Sequence, residues 1–259
     1  MCTLWAVQTP QGLWCGFNRD ESLLRGKAQP PTLRTAVDAR TGQPVPLIAP
    51  TDVDAGGTWL AASDRGVVVA MLNNYTAPSQ QADEPVRSRG LLPLDLLGHA
   101  TPLLAAQWLQ QATDLLRHTR PFEAAVLAPG HALQRLVWDG QDLVTEERPL
   151  PAVLASSGWR VPEVRAAREA AFPRLVAALV ASHDVEQASQ TLRHAAADHT
   201  PGSAERATCL HGFVSRTVSH TQVLVSQTEV AMRYVDGWPC EEPAGAWQRL
   251  PRRAGGLDA

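Results

Sequence analysis

Lysine is all but missing from this sequence. Lys27 is the only one in 259 residues, and arginine supplies the rest of the 23 basic residues set against 26 acidic ones. With a net charge of -3 and no basic patch or arm, the chain lacks the electrostatic footprint of a nucleic-acid binder. Long apolar runs are also missing: none reaches the roughly 18–20 residues of a membrane span. The opening Met1 to Val7 has neither a basic leader nor a following apolar stretch, so it does not read as a signal peptide, and the folded domain is expected to start here. Cysteine is scarce. Cys2, Cys15, Cys209 and Cys240 make no Cys-x-x-Cys pair and no Cys/His cluster at zinc-finger spacing, so no metal site is expected. In a chain this long they are no disulfide framework, which points to a reducing, cytoplasmic setting.

What is present is an ordinary globular composition, 44% apolar, with enough length for a sizeable core. No internal repeat or linker divides the chain, so we expect one domain over residues 1–250 and a flexible tail over 251–259. Thr3 to Val7 and Leu13 to Phe17 read as strands around the turn signal Thr9-Pro10-Gln11-Gly12, giving a hairpin that runs into Asn18-Arg19-Asp20-Glu21. The Pro-rich stretch 28–50 reads as a surface excursion with at most an edge strand. Val67 to Leu72 is an apolar run suited to a strand covered on both sides, and 76–90 reads as a loop.

Leu103 to His118 has the helical period, with Leu104, Trp108, Ala112, Leu115 and Leu116 on one face. Strands are expected at 122–128, 133–138 and 143–146. Helices are expected at Val164–Val180, broken or kinked by Pro173, and at Val185–Ala196, with Asp184 and Gln187 as a capping pair. Phe213–Ser219, Thr221–Val225 and Val230–Val235 read as strands. Strand runs segregated from helix runs suggest α+β sheets with helices on their outer faces.

Several segments carry a resemblance in order and spacing: Met1-Cys2-Thr3-Leu4, Asn18-Arg19-Asp20-Glu21, Ala55-Gly56-Gly57-Thr58-Trp59-Leu60, Leu72-Asn73-Asn74-Tyr75 and Ser88-Arg89-Gly90. Ala155 to Arg160 and Arg216 to Ser219 look like later blocks of the same pattern. Together they resemble the NRDE family, also called the transport-and-Golgi-organisation family. That family is similar to the N-terminal-nucleophile hydrolases, near choloylglycine hydrolases and penicillin acylases. The resemblance implies a four-layer α-β-β-α sandwich and a residue 2 that becomes the N-terminus after loss of Met1.

In such a site one residue supplies nucleophile and base. The Cys2 thiol attacks a carbonyl, and its own amine, with a reference pKa of about 7.7–8.0, takes the proton. Arg19 and Glu21 are candidates to orient the amine and thiol, and Asn18 and Asp20 to bind substrate. Choloylglycine hydrolases carry an Arg and an Asp where this chain has Asn18 and Glu21. Its own Arg19 and Asp20 are displaced by one position, and one residue of shift changes the face of a strand. Which of Asn18 and Arg19 faces the site stays open.

Asn74 resembles the asparagine that helps form those hydrolases' oxyanion hole, with Asn73 competing for the role. Their second oxyanion asparagine has no clear match, because Ser157 stands in the corresponding block. Gly56-Gly57 allows an unusual turn or a close approach. Trp59 is a pocket wall, Arg89 a candidate for an anionic group, and Arg216 is similar to a late arginine that supports the nucleophile. His211 and His220 lie near strands, and no covalent haem motif occurs.

Two functions follow as expectations. One is an N-terminal cysteine amidohydrolase or acyl-transfer enzyme acting on a small amide or thioester, requiring no cofactor. The other is a non-catalytic carrier on the same fold, with haem or an acyl-coenzyme A lipid as its ligand.

Overall fold

The structure, a computed structural model, describes residues 1–77, 87–200 and 206–253. It opens on an antiparallel hairpin of β1 (Cys2–Thr9) and β2 (Gly12–Ser22), in register from Cys2 opposite Arg19 to Thr9 opposite Gly12. β3 (Gln29–Val37), β4 (Pro44–Thr51), β5 (Leu60–Ser63) and β6 (Val68–Asn73) follow, then a 3-10 turn at Arg89–Leu91. Next come α1 (Leu92–Leu96), α2 (Pro102–Gln111) and α3 (Thr113–Arg117), and β7 (Phe122–Leu127), β8 (Leu133–Trp138), β9 (Leu143–Arg148) and β10 (Ala152–Ser156). The chain continues through α4 (Val161–Val180), α5 (Val185–Ala196), β11 (Ser215–Val225), β12 (Glu229–Asp236) and β13 (Gln248–Pro251).

The strands form two antiparallel sheets, one ordered β10-β1-β2-β11-β12-β13 and the other β3-β4-β5-β6-β7-β8-β9. Alternation along each strand explains how they stack. On β1 and β2, Leu4, Ala6, Leu13, Cys15 and Phe17 enter the core between the sheets, while Trp5, Val7 and Trp14 pack with Leu175, Leu179 and Leu192 of α4 and α5. On the second sheet, Ala62, Val68 and Ala70 face the inter-sheet core. Val69, Met71 and Val126 face Leu92, Leu96, Ala105 and Leu109 of α1 and α2. Both sheets are therefore covered on both faces at their centres, which is why a central strand such as β6 reads as a continuous apolar run. The result is the expected four-layer α-β-β-α sandwich. Among the described residues, no helix is long and apolar enough to cross a membrane.

Several expectations need correction. The Pro-rich excursion over 28–50 is two strands. β3 lies at a sheet edge, where proline is tolerated, and β4 pairs with β5 only at Leu47 and Ile48, between Pro46 and Pro50. The single helix over 103–118 is two, and Leu104 is exposed, the buried side being Ala105, Ala106 and Leu109. Pro173 does not interrupt α4, because it sits on the exposed side of a helix anchored by Val164, Leu175 and Leu179. The two strands expected across 213–225 are one, β11, with an irregularity between Thr217 and Ser219; Phe213 is fully exposed. β10 and β13 were not legible as strands. Pro251 closes β13, and Arg252 and Arg253 donate backbone hydrogen bonds to Thr228 and Asp64; residues 254–259 of the expected tail lie outside the described residues, as does 78–86 of the expected loop. The Asp184 cap is as expected, its carboxylate accepting from the Gln187 amide at 2.8 Å.

Candidate active site

Cys2 lies on the wall of a cleft of about 320 Å³ at the strand ends of the two sheets, among residues that open β1, close β2 and β6 and flank β4 and β5. Arg19, Glu21, Asp52, Trp59, Asn73 and Arg89 line the same cleft. Cys2 and Arg19 are directly opposed on β1 and β2, so their side chains share the inter-sheet face. The Arg19 guanidinium stands 4.3 Å from the centre of the Trp59 ring, 3.3 Å from Glu21 and 3.9 Å from Asp52. Arg25 ties this group together, bonding Asp52 at 2.6 Å.

The strand period divides the Asn-Arg-Asp-Glu signature between two faces. Arg19 and Glu21 continue the parity of Leu13, Cys15 and Phe17 and point inward. Asn18 points to the helix layer, which corrects its expected place in the substrate site. Its amide donates to the carbonyls of Ala196 at 2.9 Å and Thr208 at 3.0 Å. Both amide hydrogens being spent, its oxygen accepts from His220 Nδ1 at 2.8 Å. His220 Nε2 then accepts from Gln222 at 3.2 Å, and burial lowers the imidazole from 6.5 to about 3, so the ring is neutral. This closed network leaves His220 no face for a ligand.

Asp20 also turns behind the strand. Its Oδ1 accepts from Thr217 at 2.6 Å and its Oδ2 lies 3.6 Å from Arg168. Burial pushes its carboxyl up, opposed by Arg168. Arg168, from α4, reaches further. It bonds the Thr3 hydroxyl, the Cys2 carbonyl at 3.3 Å and the Ala207 carbonyl at 3.2 Å, so it holds the backbone under the cysteine. Asp20 thus supports the site from the rear.

The asparagine candidates separate. Asn73 ends β6 on the cleft wall, its amide donating to the Tyr75 hydroxyl at 2.7 Å. Asn74 points elsewhere, corrected from the oxyanion role: its amide donates to the Trp138 carbonyl at 3.1 Å and its oxygen caps Thr76. Ser157 stands beside Met1, with its hydroxyl 3.1 Å from the Met1 sulfur and donating to the Trp159 carbonyl at 2.5 Å. Arg216 is corrected too. It stacks over Trp238 at 5.0 Å in a neighbouring cleft of about 370 Å³ and does not reach the Cys2 cleft. Arg89 is on the cleft wall as expected, held by the Pro121 carbonyl at 3.0 Å, with burial lowering its pKa. Gly57 explains how its loop comes so close: a Cβ there would lie 2.4 Å from the Gly90 backbone, while the Thr58 amide donates to the Gly90 carbonyl at 2.7 Å.

Burial pushes the Cys2 thiol up from its ordinary value, and the charge of Asp20 adds to this; the terminal ammonium works the other way. The thiol is therefore protonated at neutral pH and needs a base to act. The Met1 ammonium donates to the Asp20 carbonyl at 3.0 Å and to the Tyr75 hydroxyl at 3.3 Å. The Trp59 indole N–H, buried in the cleft wall, has no hydrogen-bond partner among the described residues.

Sequence reasoning missed Arg168, Tyr75 and Arg120, the last on the cleft wall. Arg168 is one of many arginines on a helix, and only the fold carries it to β1. It also missed a cluster: His199, Cys209, His211 and Cys240 come together although their spacing gives no ligand motif.

A family model described as Transport and Golgi organisation 2 matches residues 2–207. No curated protein sequence matches the chain. Among solved structures, penicillin V acylase from Agrobacterium tumefaciens aligns at 11% identity and a TM-score of 0.58, covering 91% of this chain and 86% of its own. A mutant conjugated bile acid hydrolase from Clostridium perfringens aligns at 10% identity and 0.55, covering 100% and 94%. The Caenorhabditis elegans ortholog of N-acylethanolamine-hydrolyzing acid amidase aligns at 11% and 0.50, covering 86% and 92%. The chain has the N-terminal-nucleophile hydrolase fold that these structures share.

Proposed function

The chain belongs to the Transport and Golgi organisation 2 family, and from that premise we propose that it is an N-terminal cysteine amidohydrolase or acyl-transfer enzyme acting on a small amide or thioester that carries an anionic group. The observation that carries this reading is the placing of Cys2 on the wall of an arginine-lined cleft, directly across the ladder from Arg19. Loss of Met1 frees the Cys2 amine. That amine takes the thiol proton, and the thiolate attacks the substrate carbonyl. As the tetrahedral intermediate collapses, the amine returns the proton to the departing amine or thiol. Water, activated by the same amine, then releases the acid and restores the thiol. In acyl transfer another nucleophile takes the place of water.

The buried, protonated state of the thiol supports a mechanism with a dedicated base. Among the described residues the Trp59 indole N–H has no partner and the Asn73 amide spends one hydrogen, on Tyr75; both are donors suited to a developing oxyanion. Arg89 and Arg120 fit the anionic group. Arg120 lies on the same wall as Arg89. Intact-mass measurement tests the proposal in the cytoplasmically expressed protein. It should show loss of Met1 and a single adduct with a thiol-reactive acyl probe, absent from Cys2→Ala. Retention of Met1, or no adduct on Cys2, sinks it.

A second reading, a non-catalytic carrier for haem or an acyl-coenzyme A lipid, is favoured by a larger cleft that shares no lining residue with the Cys2 cleft. It measures about 950 Å³ and is lined by Arg40, Arg65, His99, Trp108 and Arg253. The His99 Nε2 is buried there without a hydrogen-bond partner among the described residues, and its ring lies 5.0 Å from that of Trp108. Burial lowers the His99 pKa, which suits a neutral ligand. Haem titration followed at the Soret band should saturate, and His99→Ala should weaken it. A linear, unsaturable response at micromolar protein removes the haem version.

A further inference from the structure

Outside the three clefts, three segments that are apart in sequence meet at one point. His199 follows α5, Cys209 and His211 lie on the approach to β11, and Cys240 lies in the turn after β12. One ligand-type atom from each of the four lies within 4.8 Å of all the others. We propose that His199, Cys209, His211 and Cys240 form a closed, four-ligand site for a borderline-soft divalent cation of the zinc class, and that this site braces the Asn-Arg-Asp-Glu signature from behind.

The distances fit such an ion. At tetrahedral angles, metal–sulfur bonds of about 2.3 Å and metal–nitrogen bonds of about 2.0 Å place neighbouring ligand atoms about 3.3–3.8 Å apart. Cys209 Sγ lies 3.5 Å from Cys240 Sγ and 3.5 Å from His211 Nε2, and His211 Nε2 lies 3.2 Å from Cys240 Sγ. The two sulfurs are well beyond the roughly 2.05 Å of a disulfide, and both cysteines are free. Two thiolates neutralise a divalent charge, and sulfur with imidazole selects zinc-class ions over magnesium or calcium. Four protein ligands leave no open position for a reacting water, which marks a structural site.

The surroundings are built to hold these side chains. The His211 ring stacks on Trp238 at 4.4 Å, with the planes 15° apart, and the Trp238 indole donates to the Leu210 carbonyl at 3.2 Å. The Asp198 carbonyl accepts from the amides of Thr208 and Cys209 at 3.0 and 3.1 Å. From the end of α5, Arg193 donates to the carbonyls of Pro239 and Glu242, on either side of Cys240. Ordered outer partners of this kind set ligand orientation.

The bracing role follows from what the same segment touches. The Thr208 carbonyl accepts from Asn18, the Ala207 carbonyl from Arg168, and Thr217, which bonds the Leu210 amide, also bonds Asp20. A cation on Cys209 and His211 would fix the carbonyls against which the signature is registered. Three of the four residues lie beyond 207, where the stretch that matches the family ends.

Cobalt titration of the reduced, metal-stripped full-length protein tests the proposal. We expect one equivalent to bind, with a sulfur-to-cobalt charge-transfer band and tetrahedral d–d bands, both bleached by one equivalent of zinc. Cys209→Ser and Cys240→Ser should abolish the charge-transfer intensity from the lost sulfur. The exposed His199→Ala, which does not touch the core, should weaken cobalt by more than the roughly 10–100-fold that loss of an outer partner costs. Cys15→Ala should bind as the parent does. Absence of a cobalt band in the reduced parent protein overturns the proposal without reference to any variant. So does a band that survives Cys209→Ser and Cys240→Ser, or a Cys209–Cys240 disulfide whose reduction restores no cobalt binding.

Discussion

Arg19 sits directly across the β1–β2 ladder from Cys2, while Asn18, one residue earlier, turns its amide to the helix layer and to His220. One strand step separates a residue that faces the cleft from one that holds two layers together. The two should therefore fail differently. Asn18→Ala leaves the carbonyls of Ala196 and Thr208 and the His220 N–H unpaired in the interior, and should cost at least about 2 kcal/mol in chemical denaturation. The folded fraction should still acylate at Cys2 as the parent does. Arg19→Met should cost about 2 kcal/mol, the scale of a desolvated cation–π contact, and slow acylation at least about tenfold. Equal effects of the two on acylation would contradict the division of faces.

The cleft should prefer anions. Iodoacetate and iodoacetamide differ by one charge, so the ratio of their rates at Cys2, normalised to a free thiol, reads the local field. Arg89→Gln combined with Arg120→Gln should lower that ratio about 5- to 10-fold, at about 1 kcal/mol for partly exposed charges. High salt should lower the parent ratio in the same direction. A ratio indifferent to both would remove the anionic-substrate assignment.

Acid should loosen the layer behind the cleft. His220 is neutral when folded, with a pKa lowered from 6.5 to about 3 by burial. The unfolded chain therefore takes up a proton that the folded chain refuses. The stability present above pH 6.5 is lost as pH falls from there through about 3, at up to about 1.4 kcal/mol per pH unit for one proton. Urea denaturation across that window should show this slope, and His220→Gln should flatten it. An unchanged slope in the variant would assign the acid sensitivity to other groups.

Gly57 should resist replacement. A Cβ there would collide with the Gly90 backbone, which cannot move without displacing the Arg89 turn. Gly57→Ala should cost about 1–3 kcal/mol, as overpacking does, and should reduce the anion preference of the cleft. Gly42→Ala offers a contrast, because nothing lies within 4 Å of its Cβ; it carries only the cost of a left-handed backbone at φ +70°. Thermal unfolding of both variants compares steric and conformational cost directly.

The legible parts of this fold were those with a single period. The hairpin from Cys2, the apolar β6 and the capped α5 are visible because local pattern and tertiary environment agree. β3 and β4 were hidden by their prolines, and the burial of α2 was misjudged because Ala105 and Ala106, not Leu104, fit against the sheet. Cys2 and the signature could be located from order and spacing. Their orientation required register, which depends on the hairpin turn at Gly12. Asn74, Arg216 and Arg168 were illegible for a different reason: each is placed by contacts across more than sixty residues of chain. The same holds for the His199–Cys240 cluster, whose four residues gather only when α5, β11 and β12 converge.

The bonds made by Met1 also bear on how the protein is handled. Its ammonium is held between the Asp20 carbonyl and the Tyr75 hydroxyl, one residue from the cleft wall. An affinity tag fused ahead of it would have to leave through that same opening and would abolish the charge that those two oxygens accept. Purification from the carboxyl end keeps the opening clear, and an amino-tagged preparation that fails to react would report on the tag rather than on the protein.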